Sequence, residues 1–210
     1  MNDLLKKVFG WMSAGLLVTF ATAYIVANNV NMFYSMINNY LLLAIIEIVL
    51  VIVLSARITK ISPTSARILF LLYSFVSGLT FSSIFVVYKI SSIIYVFLIT
   101  SIVFALLALL GAKTKVDLTK FGTYLMIALF AIIICAIINM FVGGSEFAMI
   151  ICSVSILVFM GFTAYDVQKI LSLQNIIDED NLAIYGALEL YLDFINLFID
   201  LLRLFGSSRD

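Results

Sequence analysis

The chain has 210 residues, of which 64% are hydrophobic and only 11% are charged, and its 12 basic and 12 acidic residues give a net charge of zero. A soluble domain carries about 25% charged residues, so this composition indicates an integral membrane protein. The lack of a basic tract argues against binding to nucleic acid. The lack of histidine excludes the usual sensor of pH near neutrality.

The membrane spans are predicted from stretches without charge, since a helix needs about 20 apolar residues to cross a bilayer. Lys7 is followed by 39 uncharged residues, and the Asn-rich segment "NNVNMFYSMINNY" divides this run into two helices. Pro63 lies in "SPTS" just before the third span, where serine and threonine suit the start of a helix. The pattern predicts an all-α membrane protein with seven spans in one domain, residues 1–210. The predicted spans are residues 7–28, 36–57, 68–88, 90–112, 121–145, 147–165 and 182–204.

The orientation is predicted from lysine and arginine, which concentrate on the cytoplasmic side of a membrane protein. A cytoplasmic N-terminus places nine basic residues inside and three outside, and seven spans then leave the C-terminus outside. The inner set is Lys6, Lys7, Arg57, Lys60, Arg67, Lys113, Lys115, Lys120 and Lys169, and the outer set is Lys89, Arg203 and Arg209.

The last span carries a polar stripe in an otherwise apolar helix. Successive stripe positions are four, three, four and three residues apart, which confines them to a face about 80° wide. A charge at the bilayer centre costs at least about 2.5 kcal/mol, so we expect the stripe to be largely buried against other helices or water. Asp200 and Arg203 are spaced to pair with each other. The stripe consists of Glu189, Asp193, Asn196, Asp200 and Arg203.

Asp166 on the sixth span is predicted to face Asp193. The midpoint between the two aspartates falls within "DED" of the loop "LQNIIDEDNL". A hairpin turning there would place both carboxyls at one depth, about 20 Å from the turn, in the cytoplasmic half of the bundle. Two carboxyls at one depth on neighbouring helices can share a proton, because both cannot ionise in a low dielectric. The alternative is two unrelated aspartates, each hydrogen-bonded locally.

The ionisable residues within the spans give an acidic excess, which favours cations. Carboxylate oxygens are the ligands that calcium prefers, so Asp166 and Asp193 are candidates for transient calcium binding. No cofactor motif is present, and the predicted partners are calcium ions, protons and the lipid bilayer. The predicted ion pathway consists of Glu47, Glu189, Asn196, Asp200 and Arg203.

Three stretches of the chain resemble the Bax inhibitor family, the transmembrane Bax-inhibitor-motif proteins. They are "FVSGLTFSSIF" in the third span, "AYDVQKI" closing the sixth and "ELYLDFINLFIDLLRLFG" in the seventh, and Glu47 followed by Arg57 also fits. The resemblance implies six helices wrapped around a central C-terminal helix, in a bacterial cytoplasmic membrane.

The same resemblance implies a pH-sensitive calcium leak. Asp166 and Asp193 match the pair of aspartates that acts as the proton sensor. Arg57, at the inner end of the second span, matches the arginine that latches this pair in the closed state.

Three other functions are compatible with the same residues. A secondary transporter could exchange cations for protons through these carboxylates, and a membrane interaction protein could modulate a protease or a stress or death pathway. Tyr165 and Asp166 also match the Tyr-Asp pair of intramembrane aspartyl proteases. However, no Gly-x-Gly precedes Asp193 and no Pro-Ala-Leu motif occurs, so we expect a protein that is not an enzyme.

Overall fold

The computed structural model describes residues 2–209, and this part of the chain is helical with short connections and no β-strand. Seven of its helices are long and apolar enough to cross a membrane. The prediction of an all-α integral membrane protein with seven spans is therefore confirmed. The elements are α1 (Asp3–Ala27), α2 (Val30–Asn38), α3 (Tyr40–Arg57), α4 (Pro63–Val87), α5 (Ile90–Lys113), a 3-10 helix (Leu118–Phe121), α6 (Gly122–Val142), α7 (Ser145–Ser172) and α8 (Glu179–Phe205).

The Asn-rich segment breaks the first apolar run, as predicted, and it contains the short additional helix α2. Asn29 caps this helix, because its side chain accepts a hydrogen bond from the amide of Met32. Asn39 follows the helix and also stands at the start of α3. Asparagine suits both ends of α2, because its side-chain amide can form hydrogen bonds with backbone groups that have no partner within the helix. The second span consequently begins at Tyr40, four residues later than predicted.

The helix α4 begins within "SPTS", where serine and threonine are expected to suit a helix start, five residues before the predicted span begins at residue 68. The Ser62 side chain accepts from the amide of Ser65, and Pro63 occupies the first turn. Proline is tolerated there because its missing N–H has no partner within the helix.

The chain forms two compact units. The first contains residues 2–89, Leu173–Tyr191 and residues 208–209, and the second contains Ile90–Ser172 and Leu192–Ser207. In the first unit α1 and α3 both pack on α4, and in the second unit α5 and α6 both pack on α7. The helix α8 contributes its first half to the first unit and its second half to the second. The single domain predicted from the sequence stays a prediction.

The spans differ in how much of their surface is covered. Among the seven found within residues 2–209, α8 is the most buried: 72% of its most apolar 18-residue stretch is buried, against none for Leu118–Val142. Apolar side chains that remain exposed on such helices are the surface that lipid covers. The high burial of α8 agrees with the enclosed last helix that its polar stripe predicts.

Candidate functional site

Asp166 on α7 and Asp193 on α8 are both enclosed carboxyls of the second unit. Asp166 is 3% exposed and Asp193 is 4% exposed. Aspartate is almost never buried unless its charge is compensated, so two such groups in one small unit mark it as a candidate site.

The turn before α8 is not where the sequence predicts it. The helix α7 ends at Ser172 and α8 begins at Glu179, so "DED" opens the helix instead of forming the turn. The connection contains Asn175, whose φ of 73° is tolerated by asparagine. Asp166 is consequently about 9 Å from the end of its helix and Asp193 about 21 Å from the start of its own, at 1.5 Å per residue. The prediction of equal distances of about 20 Å was wrong.

The packing of α7 against the second half of α8 nevertheless supports a similar depth for Asp166 and Asp193. Leu197 packs against Phe159 and Phe162. Phe162 lies four residues before Asp166, and Leu197 lies four residues after Asp193. The two segments run in opposite directions, because Asp200, further along α8, lies beside Ser155, further back along α7. This register brings the two aspartates to similar depth. Their pairing through one proton stays a prediction.

Lys169 is a charged neighbour of Asp166 that the sequence analysis missed. Its Nζ atom lies 3.7 Å from Asp166 Oδ1 and 5.8 Å from the centre of the Tyr165 ring. The signal was present in the sequence, since residues three apart on a helix lie on the same face. Lys169 was counted there only as an inner-side charge. The structure adds it to the candidate site as a cation beside the buried carboxyl.

Gln168 ties the loop between α5 and α6 to the helix segment that carries Asp166. Its Nε2 atom donates to the Val116 carbonyl oxygen at 2.9 Å, and its Oε1 atom accepts from the Leu118 amide at 2.6 Å. On the next face, Tyr165 packs so closely on Gly122 that a Cβ there would lie 2.5 Å from the Tyr165 hydroxyl. The segment "AYDVQKI" thus holds the backbone around Asp166 in place from two sides.

The polar stripe of α8 is divided between a buried edge and a more exposed edge. Asp193 and Asp200 are buried, whereas Glu189 and Asn196 are only partly buried and Arg203 is exposed. The prediction that Glu189, Asp193 and Asn196 are largely buried is confirmed for Asp193, whereas Glu189 and Asn196 keep part of their surface exposed. Residues seven apart on a helix nearly superimpose, so Glu189, Asn196 and Arg203 form one line and the two aspartates the neighbouring line. Asn196 donates to the carbonyl oxygen of Leu192 on its own helix.

The predicted pairing of Asp200 with Arg203 is confirmed. Arg203 Nη1 lies 3.8 Å from Asp200 Oδ1, and the guanidinium reaches from the exposed edge of the stripe. Ser155 and Cys152 of α7 lie beside the same carboxylate. The exposed guanidinium of Arg203 thus compensates the charge of the buried Asp200 carboxylate.

Glu47 and Arg57, the two predicted site residues on α3, belong to the first unit. Glu47 is partly buried, and its Oε1 atom lies 2.7 Å from the Thr80 hydroxyl on α4. Arg57 is the last residue of α3 and its side chain is exposed. The latch assigned to Arg57 stays a prediction.

Across residues 2–209, no group of three or more His, Cys, Asp or Glu side chains lies close enough to hold a metal ion. Calcium usually takes six to eight oxygen ligands. Transient calcium binding at Asp166 and Asp193 remains a prediction.

Known proteins are similar to this chain over its whole length. The sequence profile described as "Inhibitor of apoptosis-promoting Bax1" matches residues 1–210. The inner membrane protein YbhL of Escherichia coli K12 is 41% identical, over 100% of this chain and 93% of YbhL. An uncharacterised protein of Borreliella burgdorferi is 40% identical over 100% and 94%, and a membrane protein of Streptococcus pyogenes serotype M1 is 33% identical over 99% and 94%. The chain therefore belongs to the Bax inhibitor family of multi-pass membrane proteins.

Proposed function

We propose that the protein is a pH-sensitive calcium leak channel in which Asp166 and Asp193 bind a shared proton. The observation that supports this is the enclosure of both carboxyls in the second unit, on oppositely directed helices in matching register. The family resemblance supplies the activity, and the buried pair supplies a means of sensing pH in a chain without histidine. The ion pathway would include Glu47, Glu189, Asn196, Asp200 and Arg203.

The energy available from such a pair is large enough to gate a channel. Two carboxylates about 5 Å apart, at an effective dielectric near 20, repel by roughly 3 kcal/mol. A difference of that size shifts a two-state equilibrium on the order of 100-fold. One shared proton removes the repulsion, so the pair responds to pH as a unit.

The proposed direction is more leak at acidic pH. The resemblance gives Arg57 the role of a latch on the ionised pair, and a charge-assisted bidentate hydrogen bond strengthens as the carboxylates ionise. Protonation then weakens the latch. The excess of basic residues on one side further supports a cytoplasmic N-terminus, an external C-terminus and a sensor in the cytoplasmic half.

The test is calcium uptake into proteoliposomes that contain the purified protein and a trapped calcium indicator, between pH 6 and 8. We expect uptake to rise as the pH falls, well above that of protein-free vesicles. Uptake equal to that of protein-free vesicles at every pH would contradict the proposal and favour a role as an interaction partner. Calcium accumulation against its own gradient, driven by an imposed proton gradient, would identify a transporter instead.

Lys169 should set the pH at which the leak is half-maximal. Lys169→Met removes a cation 3.7 Å from Asp166, so the carboxyl pair should bind its proton more readily. We expect the half-maximal leak to move to higher pH by up to about 0.7 pH units, since a partly exposed ion pair contributes up to about 1 kcal/mol.

The same flux assay measures this shift. Lys120→Met is the matched control, because Lys120 pairs with Asp117 outside the candidate site. A Lys169→Met curve that coincides with the wild-type curve, or that moves to lower pH, would contradict the assignment.

A further inference from the structure

The first unit contains a buried cluster of side-chain hydroxyl groups beside Glu47. Its members come from α1, α4 and the first half of α8, and each is at most 8% exposed. Three of them follow one face of α4 at spacings of four and three residues. We call this the hydroxyl cluster; it consists of Thr19, Tyr73, Ser77, Thr80 and Tyr191.

The hydrogen bonds at one end of the hydroxyl cluster have a defined direction. The Thr19 hydroxyl oxygen lies 3.0 Å from the Gly15 carbonyl oxygen, 2.8 Å from the Ser74 carbonyl oxygen and 2.7 Å from the Tyr191 hydroxyl. Thr19 has one hydrogen, and the two carbonyl oxygens can only accept it. Tyr191 must therefore donate to Thr19, which leaves the lone pairs of the Tyr191 oxygen available to accept.

At the other end of the hydroxyl cluster, beside Glu47, the hydrogens and their possible acceptors can be counted in the same way. The Thr80 hydroxyl oxygen lies 2.7 Å from Glu47 Oε1 and 2.9 Å from the Ser77 carbonyl oxygen. Thr80 has a single hydrogen for two acceptors if Glu47 is ionised. If Glu47 carries a proton, the carboxyl group donates to Thr80 and Thr80 donates to Ser77, so that both short contacts become full hydrogen bonds. The geometry accordingly favours the protonated carboxyl.

The charges around Glu47 point the same way. The titratable groups that approach it are the phenols of Tyr73 on α4 and Tyr191 on α8. The helix α2, which also contacts α3, carries no charged residue and one exposed tyrosine, Tyr34. No lysine or arginine within residues 2–209 forms an ion pair with Glu47. An ionised carboxylate without a cation is unfavourable within a span, and protonation removes that charge.

Ser77 supplies an independent observation. Its side chain is 1% exposed, and its hydroxyl lies within hydrogen-bonding reach of the Tyr73 and Tyr191 hydroxyl groups. Ser77 is one helical turn from Thr80, and its hydroxyl can both donate and accept a hydrogen bond. The cluster can therefore rearrange its hydrogen bonds when a proton arrives or leaves.

We propose that Glu47 and the hydroxyl cluster form a second proton-binding site, in which the Glu47 carboxyl carries the proton and donates a hydrogen bond to the Thr80 hydroxyl. The site lies entirely within the first unit and uses none of the groups around Asp166 and Asp193. It does not depend on the calcium leak proposed above. Glu47 is then a proton-binding residue of the membrane interior, whichever ion the protein passes.

Infrared spectroscopy of the full chain in lipid nanodiscs at pH 7 tests this directly. A protonated carboxylic acid has a carbonyl stretch at higher frequency than a carboxylate. We expect Glu47→Gln to lose one component of the protonated-acid absorption of the wild-type protein, and Glu146→Gln, the matched exposed glutamate, to retain it. Thr80→Val should keep this component and move it to higher frequency, because the acid loses its hydrogen-bond partner. Identical wild-type and Glu47→Gln spectra in this region would overturn the proposal.

A second measurement needs no variant and decides the matter if Glu47→Gln does not fold. Dicyclohexylcarbodiimide adds a protonated carboxyl group across one of its C=N bonds and rearranges to a stable N-acylurea, so the peptide gains the mass of one reagent molecule. We expect this adduct on Glu47 and not on exposed Glu146 at pH 7, by peptide mass spectrometry. An unmodified Glu47 under these conditions would overturn the proposal.

Discussion

Asp166→Asn should flatten the pH dependence of calcium leak between pH 6 and 8. The wild-type response is expected to span on the order of 100-fold, because the binding or release of one proton changes the electrostatic energy of the carboxyl pair by roughly 3 kcal/mol. An asparagine has nearly the same shape and cannot ionise. The remaining carboxyl of Asp193 then has no acidic partner to repel, and the leak should vary by only a few-fold over the same range.

The measurement is the flux assay described above, with a control outside the spans. Asp117 lies in the loop before the 3-10 helix, and hydrogen bonds from the Thr119 hydroxyl and amide lower the pKa of its carboxyl. Asp117 therefore stays ionised across neutral pH, and Asp117→Asn should keep the full wild-type response. An Asp166→Asn variant that also kept the full response would eliminate the proposed sensor.

Gly111→Ala should destabilise the second unit at the crossing of α5 and α7. A Cβ at Gly111 would lie 2.2 Å from the carbonyl oxygen of Ala164. The atom in the way belongs to the backbone, which cannot change rotamer as a side chain can. The helices α5 and α7 must therefore move apart at Ala164, which lies two residues before Asp166. Overpacking of this kind costs about 1–3 kcal/mol. For a chain of this size that corresponds to a melting temperature lower by about 2–12 °C.

Thermal unfolding of the purified protein in one detergent, followed by circular dichroism, measures this effect. Gly10→Ala is the matched control, because nothing lies within 4 Å of a Cβ built at Gly10 on α1. Alanine is the better helix former, so this control should unfold at the wild-type temperature or slightly above it. Equal melting temperatures for wild type and Gly111→Ala would show that the two helices do not cross so closely.

The sequence by itself determined the number and type of spans. Apolar length and the absence of charge are local properties, and they are sufficient for a helix that must satisfy its own backbone in lipid. The serine cap before α4 and the pairing of Asp200 with Arg203 were predictable for the same reason, since caps and neighbours three residues apart depend on one helix alone. The family was also readable from the motifs of three spans.

The tertiary structure decided which neighbours each polar group has. A helical stripe defines a face, but the depth to which each edge is covered depends on other helices, so Asp193 is buried and Glu189 only partly. The loop composition suggested a turn at "DED", yet Glu179 and Asp180 begin α8, where the helix dipole favours acidic residues. Lys169 had been counted only as a topology charge, although it reaches Asp166.

The hydroxyl cluster beside Glu47 shows the same limit most clearly. Thr19, Tyr73 and Tyr191 are ordinary polar residues in three separate apolar stretches, and nothing in their local sequence predicts that they meet. They meet because Gly15 and Gly78 let α1 and α4 approach closely: a Cβ at Gly78 would lie 2.7 Å from the Thr19 carbonyl oxygen. Contacts between residues far apart in the chain depend on the shape of both surfaces, and that information exists only once the helices have packed.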